Sequence, residues 1–491
     1  MADVTYLAQI GLVLGVAYLV GEALYNAFLH PLRKFPGPVS HRLSALPRTW
    51  YQIRGCLPFY IRELHERYGP VVRLAPDELI FSNPQAWHDI YARGKGGTPE
   101  LPKYEKFYHL FGHLPRSILN ETPQDHGPLR RRLAHGFSER SMREQEPIIG
   151  SYVNLLVSRL RTEVEKTSRQ DLRRWYNWTT FDLIGDLSFG VDGGFECLQK
   201  PDHHSWVELV STTMSQGSIV QGIIRLGLGA PIVWLNRMNL LADNKHRALV
   251  REKLAQRLKT GERPDFLEGL ISNWDELGLD YGRLTANASL LIVAGSETTA
   301  TLLAGATYFL VAHPEILQKL QQEVRSSFKS DEEITLLSVG NLSYMLACLN
   351  ESLRCHPPVA SGLPRTVPQG GTTIDGHFIP QGTIVSVVQW AINHDERFWT
   401  EPDTFTPERW LGDPKYKGDQ LDVMQPFSTG PRNCVGRNLA YAEMRLILAK
   451  IVYNFDISLA DESRNWIEDQ KVYDLSWKAP PLNIHLKPVV R

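Results

Sequence analysis

Residues 427–436 read Phe427, Ser428, Thr429, Gly430, Pro431, Arg432, Asn433, Cys434, Val435, Gly436, and a helical apolar pattern continues over 437–453. Glycine and proline at this density make a tight loop, so the run presents one cysteine at a helix start. Gly430 and Gly436 free the backbone and leave room for a flat ligand, while Arg432 and the helix N-terminus favour a thiolate over a thiol. A thiolate is the form that binds iron. The alternative is a buried, inert cysteine.

Upstream stand Pro407, Glu408, Arg409 and Trp410, and before them a helical stretch over 346–354 carrying Glu351 and Arg354, ended by Pro357 and Pro358. Residues three apart share a helix face, but such a pair alone is usually exposed and worth little. Further upstream, 284–313 is apolar nearly all round, stops at Pro314, and holds Ala294, Gly295, Ser296, Glu297, Thr298 and Thr299 at its middle. A second membrane span is disfavoured by Glu297 and the threonine pair. A core helix fits better, with a hydroxyl bonding back to the backbone and distorting it locally.

Helical patterns also cover 145–165, 247–258 and 314–328; β-type runs are short, at 71–75 with 79–82, 372–379 with 383–389, and 483–486. The fold class is mainly α with small β-sheets. With 491 residues, 43% hydrophobic and 22% charged, the chain buries a large core. A net charge of -1 gives no field to attract nucleic acid, so a small, mostly neutral ligand is the default partner. The cysteines Cys56, Cys197, Cys348, Cys355 and Cys434 are scattered without a Cys-x-x-Cys pair, which reads as a reduced compartment with no structural zinc.

Residues 6–29 are almost wholly apolar, enough for a helix of roughly 36 Å that crosses a bilayer core. Arg33 and Lys34 follow it and Asp3 precedes it, so the positive-inside rule places the rest in the cytosol. Pro31, Pro36 and Pro38 make residues 30–38 a stiff hinge. The expected organisation is an anchor over 1–30 and one catalytic domain over 31–491. Residues 217–235, with Arg225 their only charge, border an access channel and dip into lipid, or pack in the core.

The cysteine loop resembles the Phe-x-x-Gly-x-Arg-x-Cys-x-Gly signature of the cytochrome P450 family at every fixed position, from Phe427 to Gly436. The block 294–299 is similar to its acid-alcohol motif, and Glu351, Arg354 and Arg409 to its Glu-x-x-Arg and Pro-Glu-Arg segments, with Trp410 in place of the commoner Phe. The hinge resembles fungal microsomal members, and 357–368 resembles fungal secondary-metabolite enzymes. This resemblance implies a cytochrome P450 fold with haem b between the central helix and the helix after the cysteine loop. It makes Cys434 the axial ligand to the haem iron, and Arg432, Arg365, His126 and Arg130 its propionate partners; His126 stands where the family usually has Trp. Glu351, Arg354 and Arg409 would form a buried ion network.

By the same resemblance, Ala294 and Gly295 admit O2, Glu297 and Thr298 relay protons to it, and the distal pocket draws on 104–118, 290–294 and 359–363. Electrons derived from NADPH come from a membrane-bound NADPH-cytochrome P450 reductase, with cytochrome b5 as an optional second donor and Arg130, Arg131 and Arg132 as docking candidates. The implied activity is insertion of one oxygen atom from O2 into a lipophilic small molecule, by a single-pass protein of the endoplasmic reticulum membrane. Two alternatives are an oxygen-independent isomerase or dehydratase on this fold, and a non-catalytic haem sensor or electron carrier; neither needs Glu297 and Thr298.

Overall fold

The structure, a computed structural model, describes residues 2–92, 99–190, 195–200, 205–237 and 243–490. Its axis is the helix Tyr281–Ala312, which starts where the Asp280 side chain accepts from the Arg283 N–H at 2.6 Å and stops before Pro314. Leu284, Leu303 and Leu310 along it are fully buried, each contributing about 1.5–3 kcal/mol. This central helix packs against Leu172–Phe189, Ser343–Cys355 and Arg437–Asn454. The helices read from sequence over 145–165, 247–258 and 314–328 are Glu139–Lys166, Asp243–Arg257 and Pro314–Ser327.

Four small sheets flank this mass. Val71–Ala75 and Glu78–Phe81 form the expected hairpin, but the pairing expected between 372–379 and 383–389 does not form. Asp375 and Gly376 turn the chain with positive φ, so Thr372–Ile374 pairs with His377–Ile379 instead. Ile384–Val387 runs parallel to Glu78–Phe81 and antiparallel to Arg365–Thr366, which ties the N-terminal sheet to the segment after Pro364. Asn483–Pro488 lies between Phe455–Leu459 and Arg169–Asp171.

At the N-terminus, Ala2–Leu24 continues into one π-turn, Tyr25–Leu29, an exposed apolar helix long enough to cross a membrane. Tyr281–Ala312 passes the same length and composition test but is 67% buried within the chain, as a core helix is. Residues 30–38 are docked rather than free. Leu32 is fully buried, the Arg73 N–H donates to Pro36 O at 2.7 Å, and the buried Arg73 guanidinium donates to Asn26 O at 3.0 Å.

Candidate active site

The cysteine loop closes when the Cys434 N–H donates to Phe427 O at 2.8 Å. Gly430, at φ +75°, is the position that demands glycine: a Cβ there would overlap the Tyr91 carbonyl oxygen of the helix Pro84–Tyr91. The loop is thus pressed against that helix. At Gly436 a Cβ would reach only ordinary contact with Cys434 Sγ and Phe137, both at 3.9 Å. Cys434 keeps an exposed face. Burial of its thiol pushes the pKa up, opposed by the Gly436 backbone N–H, Arg130 and Arg437. The sequence assigned that thiolate-favouring charge to Arg432, but Arg432 is turned away, into a separate group of charges.

That group is built by four segments of the chain. Arg432 Nε donates to Glu100 Oε1 at 2.8 Å and its Nη1 to Glu121 O at 3.0 Å. Arg365 donates to Leu101 O at 2.8 Å, leaving its buried Nε without a partner. Lys103, bridged to Arg365 across the backbone, donates to Leu119 O and lies 4.4 Å over the Tyr108 ring. His126, on the helix Pro123–Gly136, completes the set. Burial followed by the Arg432 charge pulls its pKa down to about 3, so it stands as a neutral imidazole. Burial, with Arg365 and Arg432 beside it, drives the Lys103 ammonium well down too. Three basic chains and a histidine therefore share Glu100, whose Oε2 has no partner. Sequence reading found Arg432, Arg365 and His126 but missed Glu100 and Lys103, which carry no local motif.

Arg130 lies beside these residues but is committed elsewhere: its Nη1 donates to Asn433 O at 2.7 Å and its Nη2 to Asn433 Oδ1. It ties the helix Pro123–Gly136 to the cysteine loop. Arg132, expected on a docking face, is paired with Glu276 at 2.6 Å.

On the central helix, Ala294 is exposed and Thr298 half-exposed, one turn apart, while Glu297 and Thr299 turn into the core. The Thr298 hydroxyl donates to Ala294 O at 2.7 Å, as expected, yet the α-helical pattern continues unbroken. Burial raises the Glu297 carboxyl above its ordinary pKa, with Arg173 opposing. Gly295 has a packing role: a Cβ would stand 2.7 Å from Ile184 Cδ1, so its absence lets the helix Leu172–Phe189 approach. Of the two small residues, only Ala294 lies on the open face.

The ion network is closed. Glu351 accepts from Arg354 Nη2 at 2.7 Å, Arg409 Nε at 3.0 Å, Thr406 N at 3.0 Å and Trp410 Nε1 at 2.9 Å. Arg409 also pairs with Asp419, which sequence reading missed because it stands in an irregular loop. Two acids face two arginines, and all four side chains are buried. Trp410 supplies an indole N–H that a phenylalanine lacks, which explains its place here.

A family model described as Cytochrome P450 matches residues 46–486. The chain is 48% identical over 487 residues to cytochrome P450 monooxygenase tpeC of Talaromyces stipitatus, covering 98% of this chain and 95% of that one. It is 45% identical to cytochrome P450 monooxygenase 1 of Neocamarosporium betae, over 97% of each chain. With the trichothecene C-15 hydroxylase of Fusarium sporotrichioides it shares 43% identity over 96% of each. With its loop cysteine, buried ion network and central helix placed as described, and matches running nearly end to end, this chain belongs to the cytochrome P450 family and is a monooxygenase enzyme.

Proposed function

We propose that this chain is a membrane-anchored haem-thiolate monooxygenase that inserts one oxygen atom from O2 into a lipophilic small molecule of fungal secondary metabolism. The observation that carries the reading is the pairing of an open-faced Thr298 with a buried acid, Glu297, on the helix packed against the one that Cys434 introduces. The residues present fit a haem. Cys434 shows an open face beside a glycine, and Arg432 and Arg365 hold more positive charge than Glu100 offsets, with Lys103 and His126 beside them, which suits the carboxylates of a porphyrin edge. Cys434 would hold the haem iron through its thiolate, and the group would supply the redox chemistry that activates O2.

The chain's own groups do the rest. Arg130 fixes Asn433 and so aims Cys434. Thr298 spends its proton on Ala294 O, leaving its oxygen free to accept. Burial raises the Glu297 pKa and so favours its protonated form, and rotation of its side chain carries a proton from the core side to Thr298. Electrons come from an NADPH-cytochrome P450 reductase, with cytochrome b5 as an optional second donor. The apolar helix 5–29 anchors the domain to the cytosolic face of the endoplasmic reticulum.

The deciding experiment is the difference spectrum of the reduced, carbon monoxide-bound protein, wild type against Cys434→Ala. A thiolate-type Soret band in wild type alone is expected. Its absence from folded, haem-loaded wild type would end the haem-thiolate reading. Thr298→Ala should keep that band while product per NADPH falls several-fold and peroxide rises; unchanged coupling would remove Thr298 from the relay.

A further inference from the structure

Five segments far apart in the chain meet in a buried polar knot. Glu78 Oε2 accepts from Arg48 Nε at 3.0 Å and from Arg225 Nη2 at 2.9 Å. Arg225 also reaches Asp77 at 2.7 Å and the Tyr104 hydroxyl at 3.0 Å. Arg48 Nη1 donates to Gln52 Oε1, and Gln52 Nε2 in turn lies 2.6 Å from Gln221 Oε1 and 3.1 Å from Asp474 Oδ1. Arg225, the one charge in the segment 217–235 that was read as bordering a channel and dipping into lipid or else as packing in the core, is an inward-facing anchor.

Beside this knot is a cavity of about 30 Å³, lined by Arg48, Ser361, Ser386, Glu78 and Asp474 on its polar side and by Leu57, Ile61 and Phe107 among others on its apolar side. It has room for a water or one small substituent, not for a whole substrate. The polar side is under-used. Arg48 Nη2 and the hydroxyls of Ser361 and Ser386 have no protein partner among the described residues, although Ser386 is only 4% exposed. Gly362 makes the space: a Cβ there would stand 2.7 Å from Ser386 Oγ. Phe107 and Gly362 belong to the two segments that the family resemblance assigns to the substrate side.

We infer that this cavity is a substrate subsite that takes a neutral hydroxyl or carbonyl group, so that the enzyme selects a lipophilic molecule bearing one such oxygen away from the attacked carbon. The inference rests on the monooxygenase reading and adds the substrate class to it. Arg48 and Arg225 are already balanced by Asp77 and Glu78, so an incoming carboxylate finds no spare cation. A neutral oxygen finds a guanidinium donor and two hydroxyls. The apolar wall takes the adjoining carbons.

The test uses the full-length, haem-loaded protein in detergent micelles with three probes sharing one chain: 1-decanol, decane and decanoate. Equilibrium dialysis against protein-free micelles reads each affinity without using the haem. Wild type should prefer the alcohol over the alkane by about tenfold, the worth of one good hydrogen bond, and over the carboxylate as well. Ser386→Ala should cut that preference severalfold and Arg48→Met abolish it. Equal binding of alcohol and alkane by wild type, including no binding of either, or a preference that survives both variants, overturns the subsite. A cavity holding only ordered water gives that same overturning result. The carbon monoxide spectrum, run on every sample, separates the two failures: a missing thiolate band sinks the haem reading, whereas a normal band with no alcohol preference sinks the subsite alone.

Discussion

Glu351 and Glu443 are the same residue type at the same depth, both fully buried, on helices that pack against each other, and their pKa values move in opposite directions. Burial pushes both carboxyls up. At Glu351 the Arg354 and Arg409 guanidiniums and the Thr406 N–H outweigh it, and the pKa falls below its ordinary value. At Glu443 neither oxygen makes a hydrogen bond of proper geometry, the Thr299 side chain being its one weakly opposing neighbour, and burial drives the pKa to about 8. Partners, not depth, decide a buried acid's charge. One glutamate is a fixed anion that organises the region behind the loop; the other is a neutral acid at pH 7.

The largest break in this contrast should come from Glu351→Ala, which leaves Arg354 and Arg409 facing Asp419 alone. A loss of about 3–5 kcal/mol in denaturant unfolding is expected. A loss below 1 kcal/mol would mean that the network is dispensable for folding. Glu443→Gln should act in the opposite sense. A carboxyl whose folded pKa is raised favours the folded state fully below its unfolded pKa of 4.5, and that advantage is lost as pH rises towards about 8. The variant should match wild type near pH 4.5 and exceed it by about 3 kcal/mol at pH 7. Parallel stability curves would show that Glu443 is ionised after all. The smallest effect belongs to Trp410→Phe, which removes one indole bond to a charged carboxylate and should cost about 1.5 kcal/mol in the same assay.

What the sequence made legible follows the same division. Glu351, Arg354 and Arg409 were readable because each sits in a short segment of fixed spacing. Asp419 was not, since a loop aspartate has no pattern until folding brings it to Arg409. The helix Leu172–Phe189 went unread although it packs along the central helix. Asn177, Thr179, Thr180, Asp182 and Asp186 are as buried as its leucines, so it has no polar stripe to mark a helical period. Its polar groups are paired locally: Thr179 with Trp175 O, and Asp182 with the Cys197 and Leu198 N–H groups. Glu297 and Thr298 were read as a pair, but a step of one residue along a helix turns the side chain through about 100°, so they face different sides. The segment 30–38 was read as a stiff hinge from its prolines, while its docking on Arg73 needed a strand that sequence could not bring near.

The bond from Gln52 to Asp474 joins residues 422 positions apart. A chain growing at the ribosome exposes Gln52 early and Asp474 almost last, an interval on the order of tens of seconds at ordinary synthesis rates. Until then Arg48 and Gln52 lack one side of their surroundings, so the polar knot is among the final parts of the enzyme to assemble. A nascent chain can complete its helical centre while this knot is still open, and a chain cut short by a few dozen residues would keep it so.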